Sequence, residues 1–266
     1  MSQLLVAQNF WEALQVQARV IWALMLRETK TMYGRSKFGY FWVVIQTAFG
    51  VAVFWGIRLA MGAHHSYGLA LPLYLLSGIT AWNVFSECVQ KIGPSIDANR
   101  ALLYYSKVRH FDIIVSRALL VGATNIVVFL FLGMILVLTG TEIGVVDPWP
   151  FIQSWFFLMV MGTGLGALCC GLSRYSDSVM VVTSMVLRIC FFGSGAIISL
   201  NMVPTRLSFV ATYNPIYQLI ENSRTSFSYA YHFADLDMGL VLFTSLVTLF
   251  VGLMVELVTR RKVDVV

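Results

Sequence analysis

Charged residues are scarce in this sequence. They make up 12% of its 266 residues, whereas hydrophobic residues make up 58%. A soluble domain usually contains roughly 25% charged residues. Water would not solvate the apolar surface that this composition implies, so the sequence excludes an ordinary soluble domain and predicts a protein embedded in lipid. Residues 1–11 also lack the basic start, apolar centre and cleavage site of a signal peptide.

The sequence also lacks motifs for catalysis or cofactor binding. It contains no Gly-x-x-x-x-Gly-Lys-[Ser/Thr] segment, so this chain cannot hydrolyse ATP by the P-loop route. Its four cysteines lie inside apolar runs without a pairing pattern, and its four histidines have no partners at metal-ligand spacing. We therefore expect no metal, no cofactor and no enzymatic activity in this chain.

One glycine-rich stretch, residues 162–167, superficially matches the dinucleotide-binding fingerprint. It lies inside an apolar run rather than after a strand, so the match predicts no cofactor. The spacing of Gly162 and Gly166 is instead typical of a groove in which two membrane helices pack closely.

What the sequence does contain is a series of long apolar runs. Each can span a hydrocarbon core of about 30 Å as a helix, and the alternation of a strand is absent. The sequence therefore predicts an all-α membrane protein with six transmembrane helices. The six runs are residues 40–61, 71–89, 113–138, 151–172, 179–200 and 240–258.

Basic residues divide the connections between these runs into two groups. Lysine and arginine concentrate before the first run, between the second and third, after the fourth and in the tail. The other connections contain only two basic residues, Arg206 and Arg224, together with five acidic ones. The positive-inside rule then places both termini in the cytoplasm.

The N-terminal segment, residues 1–38, contains no spanning run. Within it, residues 10–33 place apolar side chains near one helical face, and basic residues follow. This pattern predicts an amphipathic helix on the inner leaflet, with an ordinary cytoplasmic helix as the alternative. Residues 39–266 then form the transmembrane domain.

The outer connection before the last run, residues 201–238, is too apolar for a solvated loop, and prolines interrupt it. We expect short re-entrant helices there. Its aromatic residues, among them Tyr213 and Tyr217, form either an interfacial belt or a stacking platform at a channel exit.

Charged residues within or beside the runs are candidates for function. Arg188 lies near the middle of the fifth run, where an arginine costs roughly 2.5–3.5 kcal/mol, so it should face protein or water. It either lines a pore for an anionic substrate or pairs with a polar neighbour. Arg58, near the outer end of the first run, lines the same pore or snorkels to the interface. Arg206 and Arg224, the basic residues of the outer connections, complete these candidate channel residues.

Two carboxylates near helix ends have simpler explanations. Glu87 should pair with a basic residue at the cytoplasmic end of the second run. Glu256 precedes Arg260 by four residues, a spacing that suits an ion pair on one helix.

The connection between the second and third runs contains a short cluster of aliphatic and aromatic side chains, residues 97–105. A plain loop in water needs no such cluster. We predict a short amphipathic helix that docks into the groove of a partner, with packing on the membrane surface as the alternative. Its contact residues would be Asn99, Arg100, Leu102, Leu103, Tyr104 and Tyr105.

Three segments resemble the type-2 ABC exporter permeases of polysaccharides. Residues 26–42 are similar to the start of those proteins, where Arg-Glu-x-Lys and Gly-Arg-Ser precede Leu-Gly-Tyr-Leu-Trp. Residues 107–112 are similar to the capsule branch, although Arg109-His110 stands where that branch often has Lys-Pro. Residues 194–215, which end in Tyr-Asn-Pro, resemble the outer segment of the same family.

The resemblance implies a homodimer in the bacterial inner membrane, with two copies of a separate subunit that binds ATP and Mg²⁺. Residues 97–105 would be the coupling helix that receives the movement of that subunit. The substrate would be an acidic capsular polysaccharide on a lipid anchor, and periplasmic adaptor and outer-membrane export proteins would complete the path. Nucleic acid is not an expected partner. The gate for the lipid-linked chain end would contain Arg27, Lys30, Arg35 and Lys37.

Three other readings stay open at this point. A permease of the same architecture could move O-antigen, teichoic acid or a drug. A membrane scaffold could recruit a cytoplasmic partner through the basic connections, although it would not explain Arg188. A membrane-embedded enzyme is disfavoured because the sequence offers no paired intramembrane carboxylates or histidine cluster.

Overall fold

The computed structural model describes residues 2–33, 39–62, 65–66, 68–100, 103, 108–141, 143–176, 178–198, 212–231, 233 and 236–263. Within these ranges the regular structure is almost entirely helical. The long helices are α1 (Ser2–Tyr33), α2 (Gly39–Ala60), α3 (Leu71–Ile92), α5 (His110–Leu138), α6 (Trp149–Ser173), α7 (Ser178–Gly193) and α9 (Met238–Val263). The short elements are β1 (His65–Ser66), β2 (Leu69–Ala70), α4 (Ser95–Ala98), α8 (Pro215–Arg224) and the 3₁₀ turn Thr225–Phe227.

Four helical segments are long and apolar enough to cross a membrane: Phe41–Ala60, His110–Leu138, Trp149–Ser173 and Met238–Thr259. They correspond to the first, third, fourth and sixth apolar runs, which confirms a helical, multi-pass membrane protein. Helix α7 is apolar but has 16 residues, and α3 has 22 residues with a more polar composition. Six spans therefore stay a prediction as far as α3 and α7 are concerned.

Two of the helix boundaries that differ from the predicted runs have a clear local cause. The third apolar run belongs to a helix that already begins at His110, because the Asp112 carboxylate accepts a hydrogen bond from the Arg109 backbone N–H at 2.9 Å and caps the first turn. The sequence placed the start of this run three residues later, at residue 113. The fifth run ends as a helix at Gly193, not at residue 200. Gly195 has a φ of +81°, a left-handed conformation that terminates helices and favours glycine.

Helix α6 lies at the centre of the protein because its glycines allow two neighbours to approach closely. A Cβ atom at Gly162 would lie 2.6 Å from the Phe85 carbonyl oxygen of α3. A Cβ at Gly166 would lie 2.8 Å from the Cβ of Ile92, also on α3. The predicted packing groove is thus confirmed. On the other side of α6, a Cβ at Gly252 of α9 would overlap the Gly164 carbonyl oxygen.

Burial separates an interior helix from lipid-facing ones. Helix α3 packs against α2, α5, α6 and α8, and most of its side chains are buried. In contrast, α2, α5 and α9 expose large apolar residues such as Trp42, Phe49 and Leu138. An apolar surface of this kind suits acyl chains rather than water.

The N-terminal helix and the outer segment agree in part with the sequence. Helix α1 buries Leu24 and packs against α5, so it has an apolar face. Its position on a membrane surface stays a prediction. A short helix does lie in the outer connection, namely α8, whereas residues 199–211 lie outside the described part of the chain.

Candidate functional site

An open groove runs between α3 and α7. Its volume is about 430 Å³. Helix α3 contributes polar side chains at positions 83, 86 and 90, a spacing that puts them on one helical face. Helix α7 contributes Arg188, which is exposed to the groove, together with two phenylalanines. The lining residues are Ile79, Trp82, Asn83, Ser86, Gln90, Leu187, Arg188, Phe191 and Phe192.

Aromatic rings form one wall of this groove. The ring centroids of Trp82 and Phe191 lie 5.9 Å apart, and those of Phe191 and Phe192 lie 5.6 Å apart. Phe54 of α2 extends the cluster, with its centroid 6.0 Å from that of Phe191. The groove thus places flat apolar faces beside amide, hydroxyl and guanidinium groups.

This combination suits a hydroxylated and anionic ligand. Aromatic faces pack against apolar surfaces, amides and hydroxyls exchange hydrogen bonds, and a guanidinium binds carboxylate or phosphate in a bidentate manner. If these polar side chains faced lipid, their transfer into hydrocarbon would cost several kcal/mol, because hydrocarbon offers no hydrogen-bonding partners. The groove therefore requires water, a ligand or another protein surface.

A second cluster, at the end of the protein that is predicted to be the outer one, surrounds the fully buried Arg224. Its Nη1 donates to Glu221 Oε1 at 2.9 Å, and its Nη2 donates to the carbonyl oxygens of Gly195 and Ala196, both at 2.9 Å. The guanidinium carbon lies 3.6 Å from the centroid of the Tyr74 ring. Arg224 thus joins α8 to α3 and to the chain that follows α7.

Two tyrosines complete the partners of Glu221. The Tyr217 hydroxyl donates to Oε1 at 3.0 Å, and the Tyr231 hydroxyl donates to Oε2. Burial raises the pKa of the Tyr231 phenol above its ordinary value, so this hydroxyl stays protonated and acts as a donor. The carboxylate is therefore held by three donors inside the protein.

The structure separates the candidate channel residues. Arg188 lines the groove, and Tyr213 is 73% exposed. Arg58, Tyr217 and Arg224 are buried in or beside the Glu221 cluster, and Arg58 donates to the Ile197 carbonyl oxygen. Arg206 lies outside the described residues.

A third cluster, at the end of the protein that is predicted to be cytoplasmic, joins two segments for which the sequence predicted different roles. Arg27 Nη1 of α1 donates to Asn99 Oδ1 at 2.7 Å. The Asn99 amide donates to Glu28 Oε1, also at 2.7 Å, and Glu28 forms an ion pair with Arg117 of α5 at 3.1 Å. Glu28, Asn99 and Arg117 are all buried. The expected gate and the expected coupling segment are thus in direct contact.

The remaining residues of those two sets are exposed, half-buried or outside the described part of the chain. Lys30 and Arg100 are exposed, and Arg100 Nε lies 3.6 Å from Asp97 Oδ1. Leu103 is half-buried. Of the predicted coupling helix, helical structure is found at α4, which begins two residues earlier at Ser95. Arg35, Lys37, Leu102, Tyr104 and Tyr105 lie outside the described residues.

Glu256 ties three helix ends together on the same side. Its Oε1 lies 2.7 Å from His110 Nδ1 of α5 and 3.1 Å from Arg174 Nη2, which follows α6. The sequence suggested Arg260 as its partner, whose side chain lies outside the described residues. The expected pairing of Glu87 is confirmed, because Glu87 Oε2 lies 2.5 Å from Lys91 Nζ.

Sequence reasoning missed the polar stripe of α3, formed by Asn83, Ser86 and Gln90. Its signal was visible, since polar residues recur every three or four positions inside the second apolar run. It also missed Glu28 as a bridging residue. Among the described residues, no group of three or more histidines, cysteines or carboxylates could hold a metal ion.

Comparison with known proteins adds an independent observation. The profile of the ABC-2 type transporter family matches residues 19–228. The chain is 26% identical to the Escherichia coli polysialic acid transport protein KpsM over 240 residues, which cover 90% of this chain and 93% of that protein.

Two further relatives are named for the same kind of task. The Haemophilus influenzae capsule polysaccharide export inner-membrane protein BexB is 26% identical, over 78% of each chain. The Neisseria meningitidis serogroup B capsule polysaccharide export inner-membrane protein CtrC is 23% identical, over 82% of this chain and 83% of that protein.

Proposed function

The chain belongs to the ABC-2 type transporter family, and we propose that it is the transmembrane subunit of an exporter for lipid-linked acidic capsular polysaccharide. The family match covers most of the chain. The three relatives align over most of their own lengths, and their names refer to transport of polysialic acid or export of capsule polysaccharide. A multi-pass position in the bacterial inner membrane is supported by two observations: the relatives are inner-membrane proteins, and this chain has several long apolar helices.

The observation that carries this proposal is the α3–α7 groove. A sugar polymer presents hydroxyl groups, apolar ring faces and, in acidic capsules, carboxylates or phosphates. The groove opposes these groups with Asn83, Ser86 and Gln90, with the rings of Trp82 and Phe191, and with the guanidinium of Arg188. Each contact is weak by itself, so a long polymer can bind and still advance.

Energy for transport comes from outside this chain. Membership of the family implies an ATP-binding partner, and the sequence contains no P-loop of its own. We propose two copies of that partner beneath a homodimer of this chain, with ATP and Mg²⁺ bound only by the partner. Periplasmic adaptor and outer-membrane export proteins would receive the polymer.

The cytoplasmic cluster supports a route for the movement. The exposed pair Asp97 and Arg100 offers polar contacts to a partner, while the neighbouring Asn99 is hydrogen-bonded to α1 and close to α5. A push on α4 would therefore displace α1 and α5 together. Arg27 and Lys30 would then gate the lipid-linked chain end, with both termini in the cytoplasm.

In this mechanism two protomers would enclose the grooves near the dimer axis. Helix α7 buries a single side chain, Leu187, within the protomer, and its exposed apolar residues, such as Val182 and Met185, are available to a second copy. Displacement of α7 relative to α3 would widen or narrow the groove. Such a step requires contacts that differ between two states, because a ligand shifts an equilibrium only by its differential affinity.

A reconstituted system tests the proposal. The chain and its partner ATPase are placed in proteoliposomes that contain a lipid-linked acidic polymer, and ATP-dependent protection of the polymer from an external glycosidase is measured. We expect protection with ATP and none with a partner that cannot hydrolyse ATP. Polymer that stays on its original side despite active hydrolysis would contradict export by this chain.

A further inference from the structure

The chain immediately after α7 is buried although it is not helical. Ser194, Ala196 and Ile197 are all 7% exposed or less. Their carbonyl groups have left the helical hydrogen-bond ladder, so buried carbonyls there need donors from elsewhere. The structure supplies side chains from two distant parts of the sequence.

Two arginines provide these donors. Arg224 of α8 binds the carbonyl oxygens of Gly195 and Ala196, and Arg58 of α2 binds that of Ile197. Both guanidinium groups lie over the ring of Tyr74 on α3, at 3.6 and 5.9 Å from its centroid. We call Arg58 and Arg224 the arginine clamp.

Two glycines leave the space that the contacts of the clamp require. A Cβ atom at Gly78 of α3 would overlap both Arg224 Nη2 and the Ala196 carbonyl oxygen, so only glycine leaves room for this contact. A Cβ at Gly195 would lie 2.6 Å from the Tyr217 ring. Glu221 neutralises the buried Arg224 at 2.9 Å, which reduces the cost of burying its charge.

Apart from the clamp, this end of α7 is held by the Phe191 ring, which packs against Trp82 and Phe54. Leu187 is the single buried side chain of α7. An additional contact joins Asn214 Nδ2 to the Gly193 carbonyl oxygen at 3.5 Å, and it is exposed. The groove residues Arg188, Phe191 and Phe192 lie within the last two turns before the clamped carbonyls.

From these contacts we infer that Arg58 and Arg224 are positioning residues for export: they fix the outer end of α7 and thereby set the width of the outer mouth of the α3–α7 groove. They act through α7 and do not touch the polymer. This role in export rests on the proposed function. The position of α7 itself can be measured without polymer or ATPase.

The chain contains a natural reporter for that position. Cys190 lies in the last turn of α7 and is exposed, whereas Cys88, Cys169 and Cys170 are buried. The full-length protein in spheroplasts is treated from outside with a membrane-impermeant maleimide, and the rate of Cys190 labelling is followed. Arg224→Met and Arg58→Met are compared with Arg188→Met, a matched control on α7 that is not part of the clamp.

We expect both clamp variants to label about tenfold faster than the wild type, because loss of charged hydrogen bonds shifts the population towards an open outer end. Arg188→Met should label at the wild-type rate. In a Cys190→Ser background every variant should stay unlabelled, which shows that the three buried cysteines are still protected and that the fold is intact.

Unchanged labelling in both clamp variants would overturn the inference, and so would an equal increase in Arg188→Met. If Arg224→Met exposes the buried cysteines, its labelling cannot be interpreted, and the test then depends on Arg58→Met. That variant is the milder one, because it removes one hydrogen bond to the chain after α7. Exposure of the buried cysteines in Arg58→Met as well would make the clamp a general folding requirement and would also overturn it. Faster labelling in the clamp variants, together with a wild-type chain that does not translocate polymer, would reject the proposed function and leave the clamp standing.

Discussion

The side-chain amide of Asn99 donates a hydrogen bond to Glu28 Oε1 at 2.7 Å, and this bond fastens the segment after α4 to the N-terminal helix. The two residues are 71 positions apart in the sequence. Because Glu28 also pairs with Arg117, the same carboxylate reaches α5. One asparagine thus links the segment expected to meet the ATPase with two helices of the membrane subunit.

The first prediction concerns this link. Asn99→Ala removes the acceptor of Arg27 and one donor to Glu28. Losing these hydrogen bonds to charged groups costs about 1–3 kcal/mol, so the melting temperature of the purified protein should fall by roughly 2–10 °C. Differential scanning fluorimetry in detergent measures the change.

The control for this prediction is Arg100→Ala, next in the sequence. Arg100 and Asp97 are both largely exposed, and such pairs contribute about 0–1 kcal/mol. Arg100→Ala should therefore leave the melting temperature nearly unchanged. Equal shifts for both variants would show that Asn99 is not an internal link.

The second prediction concerns the carboxylate that joins α5, α6 and α9. Glu256→Gln leaves the buried Arg174 without a counter-charge, and breaking a buried ion pair costs roughly 3–5 kcal/mol. We expect a strong loss of thermal stability. Adding Arg174→Met should recover part of it because the unpaired charge is gone.

Glu87→Gln is a matched control, since it makes the same chemical change at the partly exposed pair with Lys91. Its effect should be small, about 0–1 kcal/mol. If Glu87→Gln destabilises the protein as much as Glu256→Gln does, the difference in burial has no energetic consequence and the explanation fails.

The third prediction concerns helix packing. At Gly252 of α9 an added Cβ would overlap the Gly164 carbonyl oxygen, a backbone atom that cannot move without its helix. Gly252→Ala should push α9 away from α6 and lower the amount of folded protein in the membrane. Gly133 of α5 has nothing within 4 Å of its Cβ position, so Gly133→Ala should be tolerated. Quantitative immunoblots of membrane fractions distinguish these outcomes, and comparable loss in both variants would contradict the packing account.

The fourth prediction concerns charge in the groove. Arg188→Lys keeps a cation and should retain part of the export, whereas Arg188→Glu should reduce export of an acidic polymer by about tenfold or more, because a carboxylate repels the substrate. Ile189→Ala, at a position 74% exposed and outside the groove lining, is the control. Surface polymer at equal protein abundance is the readout. Export by Arg188→Glu at the wild-type level would exclude a role for this cation.

Local patterns in the sequence were sufficient for part of this structure. Apolar length predicted the long helices, and the Gly162–Gly166 spacing predicted a close helix contact, since both depend on residues a few positions apart. The cost of an arginine inside the membrane predicts that Arg188 avoids lipid, and this stays a prediction; its side chain lines the α3–α7 groove.

Contacts between distant segments were beyond such reasoning. Arg58 binds the carbonyl of Ile197 across 139 positions, and no periodicity reveals which carbonyls are left free by the end of α7 at Gly193. The same holds for Glu256, whose partners His110 and Arg174 are brought together by tertiary packing rather than by helical spacing. An arginine in an outer connection can line a channel or bind the backbone carbonyls at the end of a helix. The neighbouring sequence does not distinguish these two roles.

The most direct test asks what occupies the groove during export. A photo-reactive benzoyl-phenylalanine is placed at Asn83 in the groove or at Leu130, which is 63% exposed on the apolar surface of α5. Cells that are actively exporting are irradiated, and the protein is probed for attached polysaccharide. The account predicts an adduct at position 83 that requires a functional ATPase, and none at position 130. Export that continues without any adduct at position 83, or with equal adducts at both positions, would contradict passage of the polymer along the α3–α7 groove.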